Sequence, residues 1–173
     1  MLDLFSINPK DEDERHMLEA LKEAKKAYQE EEVPIGAVLV YKGRVVAKGR
    51  NQVEILKDST AHAEILCITS GSEFFENWRL SDSVMYCTLE PCCMCAGAMF
   101  LSRIKRLVWG APDLRYGANG TFTDLFSMKH PIHNIEVRKG VLENECAAMM
   151  KGFFQKCRVA KKGGGSSFEK LIL

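Results

Sequence analysis

Apolar positions recur early in the chain at helical spacing. Met17, Leu21, Ala24 and Tyr28 share one face, with acids and lysines opposite. The pattern predicts a helix over 9–32, capped by Asn8, opened by Pro9 and stopped at Val33-Pro34. The period then shortens. Residues 35–41 read as a buried strand, Lys42-Gly43 as a turn, and 44–48 as the returning strand of a hairpin. A loop is expected over 53–60. A helix follows over 61–70, with Ile65, Leu66 and Ile68 toward a core and Gly71-Ser72 closing it. Residues 72–82, with Trp78, read as an irregular connection.

The second half alternates strand, helix and strand: 83–89, 92–102 and 104–109. That is the pattern of a parallel crossover. A glycine-bearing loop over 110–120 carries Asp113, Arg115 and Tyr116. A short helical turn is expected over 123–128, loop over 130–133 and a last strand over 135–139. The final helix, 144–160, would bury Ala147, Met150, Phe153 and Phe154. No internal repeat or second domain is visible. The expected organisation is one domain over 1–160 and a flexible Gly/Ser-rich tail over 161–173.

Composition narrows the function classes only a little. The 173 residues are 46% apolar and 27% charged, enough for one full core. A net charge of +1 announces neither nucleic acid nor membrane, and no apolar run reaches the roughly 18 residues of a spanning helix. The first residues lack the basic and apolar regions of a secretory signal. Seven cysteines, two at metal spacing, fit a reducing cytoplasmic setting better than a disulfide framework. Basic residues are uneven. Arg103, Lys105 and Arg106 form one group; Lys151, Lys156, Arg158, Lys161 and Lys162 form another, with no acid from 151 to 168. Either group can supply phosphate contacts despite the neutral total, or be a solvated face.

The chemistry concentrates in two short stretches. Cys92 and Cys95, with two residues between them in Pro91-Cys92-Cys93-Met94-Cys95, can grip one metal ion from the first turn of a helix, where thiolates are favoured. His62 offers a third ligand. Cys93 points elsewhere on that helix. Cys67, Cys87, Cys146 and Cys157 read as small buried hydrophobes. Structural zinc takes four protein ligands, so three leave a position for water, as in catalytic zinc. Glu64, two residues from His62, is then a proton shuttle rather than an ordinary first-turn acid. Asn51 is either a turn asparagine or an amide that reads a ligand.

His62-Ala63-Glu64 followed by Pro91-Cys92-x-x-Cys95 resembles the signature, and the chemistry, already known for zinc-dependent cytidine and nucleobase deaminases. Glu32–Val38, Asn51, Thr60–Glu64, Thr88–Met99, Ser102–Ile104, Gly110–Asp113, Gly117-Ala118, Gly120 and Glu145–Ala147 are further similar to one branch, the bacterial tRNA-specific adenosine deaminases. The likeness covers roughly 12–160. It implies an α/β, three-layer α/β/α cytidine-deaminase-like fold on a mixed five-stranded sheet. It implies one zinc per subunit, held by His62, Cys92 and Cys95, and hydrolysis of adenosine to inosine at the wobble position of a tRNA anticodon loop. In that reading an activated water attacks the amino-bearing ring carbon. Glu64 protonates the adjacent ring nitrogen and then the departing amine. Asn51, Leu89 and Asp113 line the substrate pocket. The resemblance also implies a homodimer. Two other readings compete: a free nucleobase or nucleotide deaminase acting on guanine, cytidine or deoxycytidylate, and a non-catalytic zinc or RNA-binding module.

Overall fold

The computed structural model describes residues 3–129 and 131–162. After a short 3-10 turn at Leu4–Ser6 come α1 (Glu12–Gln29), β1 (Gly36–Tyr41), β2 (Arg44–Arg50), α2 (Val53–Leu56) and α3 (Ala63–Phe75). Then follow β3 (Val84–Leu89), α4 (Cys93–Leu101), β4 (Arg106–Ala111), β5 (Glu136–Arg138) and α5 (Glu143–Lys162). The five strands form one sheet in the order β2-β1-β3-β4-β5. β1 is antiparallel to β2 and β3, whereas β3, β4 and β5 run parallel. The expected mixed five-stranded α/β architecture is present.

The pleat sorts side chains into two cores. On one face Ala37, Leu39, Met85, Cys87, Leu107 and Trp109 meet Ala63 and Cys67 of α3 and Cys95 and Met99 of α4. On the other face Val38, Val40, Tyr86 and Val108 meet Met17, Ala20 and Leu21 of α1 and Cys146 and Met149 of α5. Helices thus cover both faces, which gives the three layers. Among the described residues, no helix is long and apolar enough to cross a membrane.

Several boundaries differ from the sequence reading, each for a local reason. α1 starts at Glu12, not at Pro9, because Asp11 rather than Asn8 caps it, accepting from Glu14 N at 2.9 Å. Gly71 does not end α3. It lies mid-helix against the sheet, where a Cβ would fall 2.6 Å from Leu39 Cδ2. The buried stripe of α3 is therefore Ala63, Cys67 and Gly71, with Ile65, Leu66 and Ile68 only half-buried. β4 begins later than expected because Ile104 N is taken by Met99 O at the end of α4. Residues 123–128 form no helix; Leu125 N bonds Ala118 O at 2.9 Å and folds the segment back on its own loop. The stretch 53–60 contains α2, a single turn that sequence spacing missed. In α5 the buried stripe is Cys146, Met149, Phe153 and Cys157, while Ala147 and Met150 turn toward a cavity. α5 extends to Lys162, two residues into the expected tail; 163–173 lie outside the described residues.

Candidate metal centre and catalytic pocket

Two helices begin at the same point in space. His62 is the N-cap residue of α3 and Cys92 that of α4, both with extended backbone. Cys92 thus stands one residue ahead of the helix rather than within it. Cys95 sits in the first turn of α4, fully buried. The parallel β3–α4–β4 unit brings the start of α4 to the carboxyl ends of the strands, the usual location of sites in open α/β sheets. Two helix N-termini converge there, and their exposed N–H groups favour anionic ligands.

His62 Nδ1 lies 3.6 Å from Cys92 Sγ and 3.5 Å from Cys95 Sγ. The three ligand atoms all fall within 4.8 Å of one another. Zinc bonds of about 2.3 Å to sulfur and about 2.0–2.1 Å to nitrogen, at tetrahedral angles, put sulfur and nitrogen about 3.5 Å apart. The residues present fit zinc, and among the described residues no other group has this geometry. Cys93 is exposed and outside the set, and Cys67, Cys87, Cys146 and Cys157 are buried away from it. The sorting of the cysteines agrees with the sequence reading, except that Cys92 precedes the helix instead of lying in its first turn.

The electrostatics of the bare ligand set suit metal capture. A hydrogen bond from Cys95, reinforced by His62, holds the Cys92 thiol down at about 4. The same bond pushes Cys95 up, as does burial. The bond to Cys92 raises His62. A metal ion replaces the shared protons and takes both sulfurs as thiolates.

Glu64 is the second residue of α3 and only 3% exposed. Burial raises its carboxyl to about 7, opposed by its own backbone N–H and by His62. Such a group can accept and release a proton near neutral pH. Glu64 borders a cavity of about 670 Å³ together with His62 and Cys92. That volume suits a nucleoside-sized ligand.

The remaining expected site residues also line this cavity: Asn51, Leu89 and Asp113, with Leu114, Arg115 and Tyr116 from the same loop. Asn51 is 5% exposed, and its amide is held from behind: Nδ2 donates to Glu32 Oε2 at 2.9 Å. Glu32, fully buried, also accepts from Ile55 N at 2.8 Å, which ties α2 to the pocket wall. Asp113 spends its carboxylate on its own loop, accepting from Arg115 N at 3.0 Å. Glu32 was legible only as part of a similar stretch; nothing in the spacing pairs positions 32 and 51.

Of the first basic group, Arg106 is committed to the fold. Arg106 forms a two-pronged pair with Asp13, both bonds 2.8 Å, and also meets Glu136 at 3.1 Å. Lys105 lies 3.4 Å from Asp82, and Arg103 bonds Phe100 O. Lys151, Lys156 and Arg158 are exposed along α5, beyond the Ala147 and Met150 that border the cavity.

With this geometry in hand, comparison with known proteins is direct. Residues 10–111 match the family described as the cytidine and deoxycytidylate deaminase zinc-binding region. A tRNA-specific adenosine deaminase of Bacillus subtilis is 47% identical over 151 residues, covering 87% of this chain and 94% of that protein. A chloroplastic tRNA(adenine(34)) deaminase of Arabidopsis thaliana is 51% identical over 159 residues, 83% of this chain; the chain spans only 12% of that protein's length. Among solved structures, one from a study of A-to-I editing by tRNA:A34 deaminases at the wobble position of transfer RNA superposes with a TM-score of 0.75. It is 44% identical, and the match covers 78% of this chain and 98% of that one.

Proposed function

The chain belongs to the cytidine and deoxycytidylate deaminase zinc-binding family, and from that premise we propose that it hydrolyses adenosine to inosine at the wobble position of a tRNA anticodon loop. The observation that carries the reading is a three-ligand metal set, His62, Cys92 and Cys95, beside a buried carboxyl at the floor of one cavity. The match to the bacterial tRNA-specific adenosine deaminase over 94% of its length supports the substrate.

Zinc in this site supplies a Lewis acid that makes its water easily deprotonated. The rest of the work falls to side chains. Glu64 takes a proton from the attacking water and delivers it to the ring nitrogen beside the amino-bearing carbon. The carbon–oxygen bond forms as the ring double bond shifts. Glu64 then carries the second proton to the amine, the carbon–nitrogen bond breaks, and ammonia leaves. Asn51 anchors the flipped nucleoside through its amide, held by Glu32. Leu89 and the loop carrying Asp113 shape the wall around it. The exposed Lys151, Lys156 and Arg158 give phosphate contacts along α5.

The proposal extends to a homodimer, which sedimentation tests, and to a cytoplasmic location, which the seven unpaired thiols support. The deciding assay offers the chain an anticodon stem-loop, guanine, cytidine and deoxycytidylate in parallel. Inosine in the stem-loop with no turnover of the others is the expected result. Turnover of guanine alone, or zinc binding with no turnover of anything, overturns the reading.

A further inference from the structure

The loop after β4 lines one wall of the cavity through residues 112–116, and one buried side chain gathers three amides of its 113–121 stretch. Glu90 is 1% exposed. Its Oε1 accepts from Asn119 N at 2.7 Å and from Thr121 N at 3.4 Å. Its Oε2 accepts from Asp113 N at 3.2 Å and from the Thr121 hydroxyl. Gly117 lies against the same carboxylate, where a Cβ would fall 2.4 Å from Oε2. The loop is also stitched to the metal end of the pocket. Gly117 pairs with Cys92 in an isolated antiparallel bridge, and Ala118 N donates to Pro91 O at 2.9 Å. Glu90 N in turn donates to Ala111 O at 2.8 Å.

Three side chains of this loop, Leu114, Arg115 and Tyr116, border the cavity, and Leu114 and Tyr116 are largely exposed. Splayed RNA bases stack on aromatic rings and guanidinium planes such as those of Tyr116 and Arg115, and Leu114 adds apolar contact. An unrestrained loop would have to be ordered each time substrate binds, and that ordering weakens binding. We propose that Glu90 is a positioning residue for the RNA substrate: by gathering the amides of Asp113, Asn119 and Thr121 it sets the wall formed by Leu114, Arg115 and Tyr116 before the anticodon loop arrives. This rests on the tRNA adenosine deaminase reading. Glu90 acts through the loop, while the metal stays with His62, Cys92 and Cys95.

The variant Glu90→Gln keeps the shape. It retains one oxygen for Asn119 and Thr121 but sets an amide donor against the Asp113 N–H. In the zinc-loaded full chain, KM for the anticodon stem-loop should rise about tenfold while kcat stays within about twofold. Zinc should remain at one per chain, and backbone hydrogen exchange at Asp113, Asn119 and Thr121 should quicken. Unchanged exchange shows that Glu90 does not hold the loop. Faster exchange with unchanged KM leaves it a purely structural group. Loss of zinc makes it a support of the metal end. Each of these three results overturns the proposal. If Glu90→Gln does not fold, Thr121→Val removes one bond to the same carboxylate, and a smaller KM rise in the same direction is expected; an unaltered KM overturns the proposal equally. A wild-type chain inactive on the stem-loop refutes the activity reading itself and the substrate half of this proposal. The exchange measurement then still judges the hold on the loop.

Discussion

Two buried polar clusters lie on opposite faces of the sheet, and only one of them is incomplete. On the α1 face Asp13, 6% exposed, accepts from Tyr86 Oη at 2.8 Å, from both terminal nitrogens of Arg106 and from Arg138. Burial alone would raise its carboxyl. The bonds from Arg106, Tyr86 and Arg138 outweigh it and hold the group well below the usual carboxylate range. On the α3/α4 face Glu64 is as deeply buried, yet it has no cation to pull it down as far, and its carboxyl rises to about 7. Both groups are strongly perturbed. Strong perturbation by itself therefore does not identify a site. What separates the clusters is closure. The Asp13 network satisfies its own charges, whereas the ligand atoms of His62, Cys92 and Cys95 lie within 4.8 Å of one another in an arrangement that fits a metal ion, beside a cavity.

The sharpest way to break that contrast is to remove a ligand. His62→Ala should lose zinc and all measurable inosine formation, and should lower the melting temperature, because the binding energy of a metal is also folding energy. Chelation of the wild-type chain should reproduce the effect, with activity returning on zinc addition. Zinc retained by His62→Ala would remove this cluster from its role.

Next comes Glu64→Ala. The metal content should stay at one per chain while the single-turnover rate on the stem-loop falls about 10³–10⁴-fold, the upper range for a positioned proton carrier. A fully active variant would return Glu64 to the status of a helix-start acid.

The closed cluster should respond the other way. Asp13→Asn should cost about 2 kcal/mol of stability, less than the 3–5 kcal/mol of a fully buried pair because the partner arginines reach solvent. The rate per folded molecule should be unchanged. The pH dependence has a definite sign. A carboxyl depressed in the folded state contributes stability that is present above its unfolded value, near 4, and is lost as pH falls below it. The stability gap between wild type and Asp13→Asn should therefore be full at neutral pH and shrink below about pH 4 in denaturant titrations. A gap that widens in acid, or a large activity loss at constant stability, would contradict the assignment of this network to the fold.

The two clusters also differ in how much of them the sequence displays. The candidate site residues are legible because each pair is local: the candidate ligand His62 and the acid Glu64 stand two apart, the candidate ligands Cys92 and Cys95 three apart, and metal chemistry fixes which types can serve. The central strand β1 is legible as a short unbroken apolar run, since a strand covered on both faces sends Val38 and Leu39 to opposite cores. The α1-face network is not legible, since Asp13 and Arg106 are 93 positions apart and nothing in either neighbourhood names the other. Read locally, Arg106 joins Arg103 and Lys105 as a basic group; the structure spends it on Asp13. Asn8 and Asp11 are both plausible caps, and only the bond to Glu14 N decides between them. Gly71 reads as a helix end because glycine often is one. Its actual reason is the close approach of Leu39, a contact between elements. Glu90 lies inside the most recognisable stretch of the chain, yet its partners, 23 to 31 residues further on, appear only after folding.

The finest test concerns Asn51, which belongs to the open cluster by position and to a closed one by bonding. One N–H of its Nδ2 is committed to Glu32, so the amide is oriented, and its carbonyl oxygen and second N–H are left for a ligand. If it reads the substrate, Asn51→Ala should raise KM for the stem-loop about tenfold, the value of one hydrogen bond of roughly 1–1.5 kcal/mol in a dry pocket. Zinc content should be untouched. Glu32→Gln should then give a smaller rise in KM, because a glutamine can still accept from Asn51 with its oxygen but can no longer serve both Asn51 and Ile55 N in the present arrangement. An asparagine that merely shapes the turn after β2 predicts the reverse: lower stability in both variants and unchanged kinetics per folded molecule. Measuring melting temperature and KM on the same preparations separates the two, since orientation of an amide moves the second quantity and turn geometry the first.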